Sequence, residues 1–220
     1  MAEREVGKFR PGWQPFFDRL LELPFHSVVD FGCGYGFQVR DFAKAGKSAE
    51  GVDRIIHPFA RAEAEQNGYI LWEKSWDELA PASYGAGWSH HCLEHCRDPV
   101  GTLHTWGQII QPGGLLCVMV PIHRTDALAG HIATGWNISQ LMYLLAVAGW
   151  DCRDGEFLVA DETIGGIVRR PEQMIMADPW QGLGPILPLL PFTCDPATTR
   201  GFEYKTTNVN WRGNKSGTTR

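Results

Sequence analysis

The chain has 220 residues, 44% of them hydrophobic, a formal net charge of −5, 25 glycines and 14 prolines. That length holds one α/β domain with modest additions, and the apolar content excludes an intrinsically disordered chain. The acidic balance (pI near 5.9) argues against a broad phosphate-binding surface, and no apolar run reaches the roughly 18 residues of a membrane span.

In chain order, Phe16, Phe17, Leu20, Leu21 and Leu23 recur at helical spacing after Pro11-Gly12, giving a helix over 12–23 that Pro24 stops. A first strand over 27–31 runs into Gly32-Cys33-Gly34-Tyr35-Gly36, and a helix follows over 35–46. The next elements are a strand over 48–53, a helix over 57–67, and strands over 69–73 and 85–90. Beyond these come a helix over 99–109, the Gln111-Pro112-Gly113-Gly114 turn and a strand over 114–120. A helix between Ile132 and Ala148 starts at Thr134 or Asn137 and ends at Gly149. Two further strands are expected near 151–159 and 164–177, and strands alternating with helix-length segments predict a parallel sheet with right-handed crossovers. Residues 1–178 read as one domain; 179–220 form a proline-rich, basic extension with no assignable structure.

The first βα turn carries the most chemical information. Glycines are needed there because a Cβ would block either a positive-φ turn or the close approach of backbone to a ligand. Asp53, at the tip of the second strand, suits the paired hydroxyls of a ribose. The third glycine falls one place too early for a dinucleotide fingerprint, with Phe37 where glycine is wanted. Asp30, two residues before Gly32, would repel a pyrophosphate but can orient an amino acid's ammonium. An adenosine-type cofactor bearing an amino-acid group therefore fits better than a nicotinamide dinucleotide.

Asp30-x-Gly32-x-Gly34-x-Gly36 with Asp53, the Leu93-Glu94-His95-x-x-Asp98-Pro99 segment, and the Pro-Gly-Gly turn before a strand ending in Pro121 stand in a fixed order. This set resembles the class I S-adenosylmethionine (SAM) dependent methyltransferase superfamily, in the branch of small-molecule and ubiquinone-type O-methyltransferases. The likeness spans residues 27–121 and continues weakly to about 170. It implies a Rossmann-like, doubly wound, seven-stranded, mostly parallel sheet whose last strand is antiparallel, with the 12–23 helix (Trp13, Phe16, Phe17) as a lid. It also implies SAM as cofactor, held by Asp30, Gly32, Cys33, Gly34, Gly36, Asp53, Arg54, Ser75, Trp76, Asp77 and His90. Relatives often place an acid for the adenine amino group where Ser75 stands here, with Asp77 two positions on.

Transfer of a methyl group from a sulfonium by in-line displacement to a small-molecule acceptor, preferably a hydroxyl, is the expected reaction. A base near neutral pKa helps such an acceptor, and His91, His123 and His131 are the candidates. No metal is favoured; in the resembling enzymes a divalent ion near the acceptor would fall on His91, Glu94 and His95, and histidine in place of a carboxylate would favour a borderline metal. His91-x-x-Glu94-His95 also has the spacing of inverted zinc proteases, so a metal-dependent hydrolase is one alternative, although that arrangement requires a continuous helix. A non-catalytic SAM-binding protein is another.

Methylation of nucleic acid or protein is a third alternative. Residues 196–220 carry Arg200, Lys205, Arg212, Lys215 and Arg220 against Glu203 alone, with Tyr204 and Trp211 interleaved. Against it, there is no Asn/Asp-Pro-Pro-aromatic segment and no Pro-Cys pair; Cys194 precedes Asp195-Pro196 in the reverse order. Met1-Ala2-Glu3-Arg4-Glu5 lacks the apolar core of a secretory signal, and six cysteines (33, 92, 96, 117, 152 and 194) read as buried free thiols. No membrane association and a cytoplasmic location are expected.

Overall fold

A computed structural model describes residues 11–122, 130–191 and 208–213. The strands are β1 (Ser27–Phe31), β2 (Ser48–Asp53), β3 (Ile70–Glu73), β4 (Tyr84–His90), β5 (Ile110–Pro121), β6 (Asp151–Ala160), β7 (Thr163–Arg169) and β8 (Asn208–Val209). The helices are α1 (Gln14–Leu21), α2 (Phe37–Lys44), α3 (Pro58–Asn67), α4 (Pro99–Ile109) and α5 (Ile138–Val147). The strands form one sheet in the order β3-β2-β1-β4-β5-β7-β6-β8. β1 to β5 pair in parallel, β7 runs antiparallel to both β5 and β6, and β8 runs antiparallel to β6. The architecture is thus the Rossmann-like, doubly wound α/β fold expected.

The strand count differs from the seven expected: there are eight. β8 is only two residues long, too short to leave a periodic signal, and tertiary contacts hold it. Val209 is buried opposite Phe157, Asn210 Nδ2 donates to the Arg153 and Gly155 carbonyls at 3.3 Å, and the Arg212 N–H donates to Glu156 at 2.9 Å. β7 ends at Arg169 rather than running to 177, because Pro171 follows and cannot donate to a ladder. The Pro112-Gly113-Gly114 turn is absorbed into β5 as an irregularity: Tyr84 pairs with Ile110 but Ala86 with Leu115.

Strand alternation divides the core between the two sheet faces. Val29 and Phe31 join α4 and α5 on one face, where the Phe31 and Trp106 rings stack at 4.8 Å. Val28 joins α1, α2 and α3 on the other, around the fully buried Trp88. Trp13, Phe17 and Phe42 lie edge-on to Trp88 at 6.3, 5.9 and 5.3 Å. Burying each such side chain contributes about 1.5–3 kcal/mol or more. The face of α1 formed by Trp13, Phe16 and Phe17 is therefore committed to the core, at 2%, 0% and 8% exposure. Asn137 caps α5, accepting from the Gln140 N–H at 2.8 Å, and Asp98 caps α4 ahead of Pro99, accepting from the Gly101 N–H at 2.9 Å. No helix among the described residues is long and apolar enough to cross a membrane.

Candidate active site

In an open α/β sheet ligands sit beyond the carboxyl ends of the strands, where strand order reverses. Here the reversal lies between β1 and β4, and a cleft of about 980 Å3 opens there. Gly32 after β1, Asp53 at the end of β2, Ser75, Trp76 and Asp77 after β3, and His91, Cys92 and His95 to Asp98 after β4 line it.

β1 ends in Gly32, Gly34 and Gly36, all with positive φ (77°, 52° and 72°). The Gly32 N–H donates to the Val52 carbonyl at 2.9 Å, bending the chain over the end of β2. A Cβ on Gly32 would lie 2.8 Å from the Cβ of Cys92, whereas one on Gly34 would meet nothing within 4 Å. The carboxylate of Asp53 ties the turn to β2: Oδ2 accepts from the Gly34 N–H at 2.9 Å and Oδ1 from the Arg54 N–H at 2.7 Å. Each oxygen keeps a further lone pair for the ribose hydroxyls of a nucleoside.

Of the residues expected around a cofactor, Gly32, Asp53, Arg54, Ser75, Trp76 and Asp77 line the cleft. Glu78 Oε1 accepts from the Ser75 N–H at 2.9 Å, and Trp76 packs edge-on against Trp106 at 5.7 Å, so this wall is braced from behind. Gly34 and Gly36 shape the turn beside it. Cys33 is buried instead, its thiol pushed up by desolvation and by the nearby Asp30 and Asp53. His90 sits at the strand tip with Nδ1 3.4 Å from Gln38 Nε2.

Asp30 lies beneath the turn, 3% exposed, its carboxyl held well above the ordinary aspartate range by burial and then by Asp53. The folded state thus keeps the Asp30 proton to higher pH than the unfolded chain does. Its contribution to stability is fully present below the unfolded value near 4 and is lost as pH rises toward the raised one. Asp30→Asn is expected to raise the thermal midpoint of the ligand-free protein at neutral pH and to flatten this part of its pH dependence. Thermal scans from about pH 4 to 8 check it, and an unchanged profile refutes it.

At the β4 tip His91 takes φ +54°, a conformation that costs a β-carbon-bearing residue about 1 kcal/mol or more and is held only where the surroundings impose it. Its N–H donates to the Met119 carbonyl at 3.0 Å, and its Nε2 lies 3.3 Å from the Thr163 hydroxyl. The following stretch is a three-residue 3-10 turn, Leu93–His95, not an α-helix. His91 and His95 therefore do not share a helical face, and the hydrolase arrangement is not formed. Glu94 is buried, and its carbonyl accepts from the Ile132 and Ala133 N–H groups, which brings His131 to His95, ring centroids 4.9 Å apart. Among the described residues, the groups able to converge on a cation are then Glu94, His95 and His131, within 4.8 Å of one another; His91 is not among them. His123 lies outside the described residues.

Two cleft thiols are among the lining residues that the sequence reading did not single out. Cys92 and Cys96 are half-buried and line the cleft, unlike the buried Cys33, Cys117 and Cys152. The Cys96 thiol is lowered to about 7, first by a hydrogen bond from Cys92 and then by those of Thr102 and the charge of Arg54, against its own burial. Their spacing, one turn apart in the segment after β4, was the available signal.

Residues 29–118 match the methyltransferase domain family. Over this stretch the chain is similar to the class I SAM-dependent methyltransferases. A ubiquinone biosynthesis O-methyltransferase of Cereibacter sphaeroides is 32% identical over 110 residues, covering 46% of this chain and 44% of that protein. A trans-aconitate 2-methyltransferase of Deinococcus radiodurans is 30% identical over 108 residues, covering 48% and 42%. The matches span less than half the length of these relatives. The Burkholderia thailandensis 1,6-didemethyltoxoflavin-N1-methyltransferase, solved with 1,6-didemethyltoxoflavin and S-adenosylhomocysteine (SAH), aligns with TM-score 0.61 at 19% identity, over 74% of this chain and 77% of that one. At that identity the likeness establishes the fold. All three superfamily landmarks, the glycine turn, Asp53 and the segment after β4, meet at one cleft.

Proposed function

We propose that this chain transfers the methyl group of SAM to a small-molecule acceptor, with a hydroxyl as the preferred acceptor atom. One observation carries the reading: a single continuous cleft holds both the nucleoside-side residues (Gly32, Asp53, Trp76) and a histidine at the β4 tip, His91. Its volume lies at the top of the roughly 300–1,000 Å3 range of ligand pockets, leaving room for an acceptor beside the cofactor. The superfamily's cofactor fits these residues: Asp53 is placed for ribose hydroxyls, the left-handed Gly34 leaves open space beside the turn, and Trp76 offers an apolar flank for a base.

SAM, when bound, supplies a methyl group on a sulfonium that is already a good leaving group. The chain's own work is then to align the partners and exclude water, which is worth roughly 7–11 kcal/mol. Asp53 and the glycine turn hold the nucleoside end, and Asp30, ionised by a nearby ammonium, holds the amino-acid end. His91, which lines the cleft with Nε2 3.3 Å from the Thr163 hydroxyl, takes the proton of an acceptor hydroxyl. His131 is the second candidate, and no step is assigned to a metal. In the basic tail, Arg212 is engaged by Glu22 at 2.8 Å, an intramolecular use that favours a small molecule over nucleic acid.

Incubation with SAM and a panel of small hydroxyl, amine and carboxylate acceptors, with and without chelator, tests this through SAH release. Hydroxyl methylation that survives chelation is expected, with kcat reduced about 10²- to 10⁴-fold in His91→Ala. Turnover confined to amines, to RNA or to protein would overturn the acceptor assignment.

A further inference from the structure

Cys92 and Cys96 bracket the 3-10 turn Leu93–His95 and both open onto the cleft. The Cys96 thiol donates to the Cys92 carbonyl at 3.7 Å, which places its sulfur beside Cys92 at the start of the turn. Thr102 and Arg54 line the same cleft as Cys96. Cys92 in turn lies on the cofactor turn: a Cβ on Gly32 would fall against its side chain. The Cys92 side chain thus packs directly against the Gly32 backbone.

We propose that Cys92 and Cys96 are a peroxide-reactive dithiol whose disulfide deforms the glycine turn and closes the chain to SAM. In the first step the Cys96 sulfur attacks a peroxide oxygen. The O–O bond breaks, Cys96 becomes a sulfenic acid, and one water leaves carrying the thiol proton. Cys92 then attacks the sulfenic sulfur, forming the S–S bond and releasing a second water; the two sulfurs lose two electrons and the peroxide gains them. A dithiol reductant reverses the bond by exchange. Reactivity requires access, which Cys96 has at the cleft and the buried Cys33, Cys117 and Cys152 do not. Closing the bond draws Cys92 toward Cys96, and the Gly32 backbone, packed on Cys92, moves with it.

The test uses the full chain, reduced and then treated with hydrogen peroxide. Peptide mapping by mass spectrometry is expected to find a Cys92–Cys96 disulfide, with both thiols missing from alkylation. SAH titration of the same sample is expected to show an affinity weakened roughly 5- to 150-fold and recovered with dithiothreitol, the range typical of coupling between two sites. Each variant is compared with its own reduced form: in Cys96→Ser and in Cys92→Ser the ratio of oxidised to reduced affinity stays at one. Sulfinic acid at Cys96 without the bond, or a mapped bond with unchanged affinity, overturns the proposal. The closing role rests on SAM being the cofactor. A reduced chain with no affinity for SAH refutes both, while mapping still reads the dithiol by itself.

Discussion

Asp53→Ala is expected to weaken SAH binding by about 30- to 1,000-fold, the equivalent of roughly 2–4 kcal/mol. Two losses combine. The carboxylate no longer accepts the ribose hydroxyls, and hydrogen bonds to a charged acceptor are worth about 1.5–3 kcal/mol each. The Gly34 N–H, held by Asp53 Oδ2 at 2.9 Å, also loses its partner, so the turn is less well ordered for the ligand. Asp53→Asn separates the effects. It preserves the shape and one acceptor oxygen but removes the charge, and an intermediate loss of about tenfold is expected. Calorimetric titration with SAH, with NAD as control, reads both variants. Wild-type affinity in Asp53→Ala would mean that the nucleoside does not sit on β2, and the assignment of the cleft would fall with it. NAD binding at comparable strength would return the glycine turn to the dinucleotide class that its spacing argues against.

Gly32→Ala is expected to destabilise the ligand-free fold by about 2–4 kcal/mol, a fall in thermal midpoint of roughly 4–15 °C for a chain this long. The left-handed conformation (φ +77°) costs an alanine about 1–2 kcal/mol. The added Cβ must also share space with Cys92, whose own Cβ would be 2.8 Å away, and overpacking of this kind adds about 1–3 kcal/mol. Pairing the change with Cys92→Ala removes the sulfur but not that Cβ and not the φ penalty. The double variant is therefore expected to recover about 1 kcal/mol relative to the sum of the single changes. Strict additivity would show that Cys92 does not press on the turn. That outcome would also remove the mechanical link by which oxidation reaches the cofactor.

Much of the cofactor side was legible in the chain because it depends on local backbone geometry. Three glycines at alternate positions after a β-branched run specify a turn at the end of β1 whatever lies around it, and Asp53 ends the next apolar run. The acceptor side was less legible. His91, Glu94 and His95 look like one cluster by spacing, but the 3-10 turn leaves His91 out of the group that Glu94 and His95 form, and His131 joins His95 from 36 residues away through backbone bonds to Glu94. Spacing records which side chains can share a face of a regular element, and this stretch is not one.

Residue order alone set the parallel half of the sheet, β1 to β5, the glycine turn and the acid that follows it, and narrowed the start of α5 to Thr134 or Asn137. Each of these is set within a few residues by periodicity, by a required φ or by a side chain reaching its own backbone. Only the tertiary structure decided that α1 packs its aromatic face on Trp88, that Val209 adds an eighth strand beside β6, and that Cys92 rests against Gly32. An apolar stripe reads the same whether it covers a ligand or a core. Strand partners and thiol neighbours are chosen by burial and hydrogen-bond satisfaction across segments far apart in the chain, which no local pattern records.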